Sequence, residues 1–132
     1  MSANISLAQS LYAAFGRGDI ATIVNAMSPD VTWVMTGSPK DYPTLGARKG
    51  PSAVQEFFRL VAENQDATDF SPKEFYASGD LVFVLGHYAW TIRKTGKSVG
   101  TDWVHIFTIK NGKVTAFREF TDTAQFAQAF RG

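Results

Sequence analysis

Three short glycine turns, Ser78-Gly79-Asp80, Lys94-Thr95-Gly96-Lys97 and Lys110-Asn111-Gly112-Lys113, punctuate the second half of the chain at almost even spacing. Between and after them run LVFVLGHYAWTIR, SVGTDWVHIFTI and VTAFREFT, segments rich in β-branched and aromatic residues, and FSPKEFYAS precedes the first turn. Connections this short cannot carry a parallel crossover, so the four segments are expected to form one antiparallel meander. The rest of the chain must then pack against that sheet.

The first half supplies the helices. Leu7, Leu11 and Phe15, with Ala8 and Tyr12 beside them, make the stripe of an amphipathic helix capped near Ser2 or Asn4 and stopped by Gly16 and Gly18. Asp19 can cap a short second helix that buries Ile20, Ile23, Val24 and Met27 and ends at Ser28-Pro29. Val31 to Thr36 reads as a strand, and Gly50-Pro51 starts a third helix with Val54, Phe57, Phe58 and Val61 on one side. Between them, residues 37–51 hold three Pro and three Gly without periodicity. A connection of that length reads as a lid, with Tyr42 or Leu45 folding over a ligand. Asp122 to Phe130 closes the chain as a short helix. The order is α+β: a curved, mostly antiparallel sheet with helices on its concave face, in a single domain spanning 1–132.

Turn geometry decides which side chains meet. A two-residue type I′ turn at Asn111-Gly112 puts His105 on the face of Arg118, whereas a three-residue turn with a glycine bulge puts it on the face of Glu119. The bulged form is expected at both late turns, since glycine alone carries a positive φ easily. In that register His87, Trp103 and Glu119 form one row, with His105, Phe107 and Phe117 on the same face. The opposite face takes Val82, Val84, Tyr88, Trp90, Val104, Ile106, Val114, Ala116 and Phe120. Both faces are too apolar for water and the helices cover only one, so a homodimer through the face of Tyr88, Trp90, Val104 and Phe120 is expected.

Thirteen Lys+Arg against twelve Asp+Glu, without a run of like charge, argue against nucleic-acid binding. Zero Cys removes disulfides, thiolate metal sites and a cysteine nucleophile. Neither a signal peptide nor a membrane span is expected, which points to the cytoplasm. GxGxxG and GxSxG are both missing, which leaves dinucleotide and serine-hydrolase chemistry without support, and no cofactor is expected. Two histidines and a carboxylate on neighbouring strands could be read as a facial metal triad, but their spacing matches no ligand motif, so no metal is assigned. Eleven Phe, four Tyr and three Trp either pack solidly or wall a cavity.

The helical hairpin entering the first strand, LYAAFGRGDIATIVNAMSPDVTW, and the last hairpin entering the terminal helix, WVHIFTIKNGKVTAFREFTD, resemble the nuclear transport factor 2-like superfamily. Within it the chain resembles the SnoaL-like and ketosteroid isomerase-related proteins. That resemblance implies a cone-shaped α+β barrel with a deep pocket, and an activity drawn from isomerases, cyclases, epoxide hydrolases, dehydratases and non-catalytic binding proteins. The isomerase general base falls on Met35, its oxyanion tyrosine on Leu11 and its second oxyanion donor on His105. The epoxide hydrolase acid on the last strand falls on Glu119, with its arginine and second aspartate on His87 and Ala89. For a cyclase acid/base, Asp102 or Asp122 is available, and the register turns Asp102 outward.

Glu119, a carboxylate among rings, is therefore the leading acid/base candidate, with His105 and His87 as proton relays or oxyanion donors. Trp33, Met35, Tyr42, Phe57, Phe58, Trp103, Phe107 and Phe117 are the expected ligand-binding walls. Together they describe a pocket for a hydrophobic, ring-containing molecule, with cofactor-free acid/base chemistry or, alternatively, ligand or partner binding alone.

Overall fold

The computed structural model describes residues 2–132. The elements run α1 (Ala3–Gly16), α2 (Ile20–Asn25), β1 (Met27–Met35), β2 (Gly46–Lys49), α3 (Pro51–Asn64), β3 (Gln65–Ser78), β4 (Leu81–Ile92), β5 (Ser98–Lys110), β6 (Lys113–Thr121) and α4 (Thr123–Arg131). Both expected helix caps form. The Ser2 hydroxyl accepts from the Ile5 amide and the Asp19 carboxylate from the Thr22 amide. Pro51 opens α3 where its missing N–H costs nothing.

Six strands make one curled, open sheet in the order β2-β1-β6-β5-β4-β3. All neighbours are antiparallel except β1 and β6, which run parallel. The meander therefore wraps round so that its last strand pairs with the first strand of the chain. Helices α1 and α3 pack inside the curl, and the core lies between them and the concave face, centred on Val54, Phe57, Trp33, Trp103 and Phe117.

Neither late turn takes the expected form. At Asn111-Gly112 both φ angles are positive, 52° and 74°, and Lys110 pairs directly with Lys113, a two-residue type I′ turn. Unmodified, that register would bring Arg118 to His105. A bulge intervenes: Ile109 pairs with Val114 but Thr108 with Ala116, and the extra residue, Thr115, brings Glu119 directly opposite His105. The expected face is reached by a different device.

At the preceding hairpin the outcome reverses. Ile92 closes onto Lys97, the Thr95 and Gly96 amides both donate to the Ile92 carbonyl, and Gly96 takes a φ of 74°. Four residues, 93–96, thus form the loop, one more than a bulged turn, and a one-residue slip flips every side chain of β4. Tyr88 and Trp90 point into the concave side, 3% and 5% exposed, while Leu85, His87 and Ala89 lie on the outer face. The expected placement of Tyr88 and Trp90 on the outer face is corrected accordingly: the apolar residues of β4 on that face are Phe83, Leu85 and Ala89.

Residues 37–51 are not a free lid. Gly46–Lys49 adds an edge strand to β1, and Tyr42 and Leu45 are already in the core, fully buried and 2% exposed. Arg48 fastens the segment by donating to the Thr44 and Pro43 carbonyls.

Candidate functional site

Between the concave sheet and helices α1, α3 and α4 lies a small cavity of about 70 Å³. Its wall is mostly aromatic. Of the expected ligand-binding residues it contains Trp33 and Met35 from β1, Phe57 and Phe58 from α3, Phe107 from β5 and Phe117 from β6. The half-buried side chains Tyr12, Phe15, Phe58 and Phe70 mark the side nearest solvent.

The polar part of this wall is one connected group. Glu119, 5% exposed, accepts from the Tyr88 hydroxyl at 2.6 Å through Oε2. Its Oε1 lies 3.3 Å from His105 Nε2, close enough for an ion pair though off the line of a hydrogen bond. On the far side of the imidazole, the Tyr12 hydroxyl sits 2.7 Å from Nδ1. Burial, and then the charge of Glu119, push the Tyr12 hydroxyl well above its ordinary pKa. The same two causes, followed by its hydrogen bond to the carboxylate, raise that of Tyr88. Both rings therefore stay phenols and donate. With Tyr12 donating to Nδ1, the imidazole proton falls on Nε2, which faces Glu119 without a hydrogen bond to it, while Tyr88 donates to the carboxylate from the other side.

Trp103 holds this arrangement from behind. It does not line the cavity but stacks on His105 at 3.9 Å between ring centroids. Its benzo edge rests on Gly86, where a Cβ would meet Cζ2 at 2.2 Å. That close approach is why β4 carries a glycine there.

Besides Trp103, two expected site residues lie outside the cavity wall. His87, on the outer face, bonds to Asp102 at 3.0 Å and has no part in the cavity. The four-residue turn put it there, and with it goes the facial metal triad; no cluster of three metal-binding side chains occurs among the described residues. Tyr42 sits behind the wall, donating to Gln65 Oε1 at 2.5 Å. Conversely, sequence reasoning missed Tyr12, Tyr88 and Gln65. Tyr12 was visible only as part of an apolar stripe, Tyr88 was assigned to the wrong face, and nothing local marks Gln65.

Comparison with known proteins bears on this pocket. The model of the SnoaL-like domain matches residues 8–117, most of the chain, and ends within β6 two residues before Glu119. The chain belongs to the SnoaL-like family. This SnoaL-like chain is similar to an NTF2-like protein of unknown function from Burkholderia pseudomallei, with 29% identity, a TM-score of 0.88 and full coverage of both chains. It is similar also to TerC, crystallised with polyporic acid, with 32% identity and a TM-score of 0.86 over 99% of this chain and 100% of that one. An uncharacterized protein of Mycobacterium tuberculosis shares 25% identity over 89% of this chain and 88% of its own.

Where the isomerase-type members carry a base on the first strand, this SnoaL-like chain has Met35, but Met35 pairs with Glu119 on the parallel neighbour β6. A carboxylate is thus present one strand over. Leu11, where the resemblance places the isomerase tyrosine, carries no hydroxyl, and the hydroxyl of the neighbouring Tyr12 is bonded to His105 Nδ1.

Proposed function

We propose that the pocket binds a hydrophobic, ring-containing small molecule and that Glu119, backed by His105, transfers a proton on it. The observation that carries this reading is a carboxylate almost wholly buried in an aromatic cavity wall, with Tyr88 on one oxygen. Among the described residues its other oxygen accepts no hydrogen bond, leaving a basic lone pair for a ligand. In the step this allows, Oε1 takes the proton from a carbon next to a ring carbonyl. The C–H electron pair moves to the carbonyl oxygen as an enolate, and the resulting carboxylic acid returns the proton to the same or a neighbouring carbon. Isomerisation and aldol-type cyclisation both begin in this way. The ring-containing ligand is in keeping with TerC, which was crystallised with polyporic acid.

Deuterium exchange tests this without knowledge of the substrate. In D2O, the protein should accelerate exchange at the carbon beside the carbonyl of 1-tetralone, followed by proton NMR, and Glu119→Gln should lower that acceleration about 10²-fold or more. If 1-tetralone binds but exchanges no faster than in buffer, the protein is a ligand-binding module rather than an enzyme of this type.

We also propose that a second copy of the chain covers the outer sheet face. Phe83, Leu85, Val104 and Ile106 are only half-buried there, and Phe120 is 39% exposed.

A further inference from the structure

The cavity wall holds polar groups that proton transfer at Glu119 does not use. Gln65, at the start of β3, lines the cavity and is 6% exposed. Its Oε1 is the acceptor for the buried Tyr42 hydroxyl. That hydroxyl has no other acceptor among the described residues, and burial raises its pKa so that it remains a donor. The amide is therefore fixed in one orientation, with its NH2 group turned away from Tyr42. No hydrogen bond among the described residues involves that Nε2.

Three other donors of the wall, Trp33 Nε1, Trp90 Nε1 and, facing Glu119, His105 Nε2, are buried without hydrogen-bond partners. The unmatched groups are thus mainly donors, with the Glu119 carboxylate oxygen as their counterpart. No Lys or Arg lines the cavity among the described residues. A ligand carboxylate or phosphate would lie beside the Glu119 charge without a cation to offset it, which is costly in an apolar site. Gln65 and Glu119 also stand at different ends. Gln65 pairs with Ile92, four residues along the same face of β4 from the Tyr88 that holds Glu119, about 13 Å of strand.

Building on the proton-transfer reading, we propose that Gln65, oriented by Tyr42, is the ligand-orienting donor of the pocket. The ligand presents to it an uncharged acceptor oxygen, a ring carbonyl, on the edge away from Glu119. Gln65 is a specificity residue here: it rewards an oxygen at that edge and is left unpaired by a hydrocarbon edge.

Three probes on one ring skeleton separate the outcomes: naphthalene, 1,4-naphthoquinone and 1-naphthoate, titrated by ligand-detected NMR. The chain has no Cys for the quinone to alkylate. The unmodified protein should prefer the quinone to both others. Gln65→Met should weaken the quinone about five- to tenfold and leave naphthalene within twofold, since the apolar contacts remain. Tyr42→Phe, which keeps the amide but frees it to rotate, should weaken the quinone several-fold, again sparing naphthalene. Equal loss of both probes in Gln65→Met, or tighter binding of the naphthoate than of the quinone, overturns the assignment while leaving the pocket reading intact. If no probe binds the unmodified protein, the pocket reading fails and this assignment with it.

Discussion

Glu119 depends on neighbours that are invisible to it in sequence. Its partner tyrosine is 31 residues away and its histidine sits directly across the strand pair. The tyrosines give this network a measurable signature. Tyr12, Tyr42 and Tyr88 are all raised chiefly by burial, so folding favours their protonated forms. In the unfolded chain a tyrosine ionises near pH 10, so above that the unfolded state binds fewer protons and stability falls as pH rises. The denaturation midpoint should therefore drop above about pH 10, and Tyr88→Phe should flatten that drop. Of the four tyrosines, only the exposed Tyr76 should develop tyrosinate absorbance while the chain is folded; the other three should appear only as it unfolds. Gly86 affords a second check. Gly86→Ala drives a Cβ into the Trp103 benzo ring and should cost about 2–3 kcal/mol by chemical denaturation. Trp103→Phe removes the clashing atoms, so the double variant should lose less than the sum of the two.

At the scale of the element, one residue more or less in a turn decides which face a strand presents. The hairpin at Thr95-Gly96 and the hairpin at Asn111-Gly112 look alike in sequence, yet one closes as a four-residue loop and the other as a type I′ turn followed by a bulge. The first sends His87 outward and Tyr88 inward; the second keeps Glu119 beside His105. The Thr115 bulge, rather than the turn tip, fixes the face of Glu119. Accordingly Gly112→Ala, at a φ of 74° with open space around its Cβ position, should cost about 1 kcal/mol in denaturant. It should leave probe affinity unchanged. A loss of quinone binding in that variant would show that the turn, not the bulge, sets the register.

For the whole molecule, the curl of six strands gives the concave face to the helices and leaves the outer face to solvent or to another chain. Light scattering at micromolar concentration should give twice the 14.5 kDa mass of one chain. Ile106→Asp, in the middle of the outer face, should yield a monomer with the cavity unaltered. A monomeric mass for the unmodified protein would remove the dimer proposal. Much of the fold was legible from the chain alone: the caps at Ser2 and Asp19, the start of α3 at Gly50-Pro51, the meander, and the aromatic walls from Trp33, Phe57, Phe107 and Phe117. These rest on local rules, since caps, turn residues and hydrophobic periods act within a few residues. The pairing of Tyr12 with His105, the inward turn of Tyr88 and the Tyr42–Gln65 bond were decided only by tertiary structure. Each joins residues from different elements, and each depends on strand register, which side-chain pattern constrains only to within one residue when both faces of a sheet are apolar.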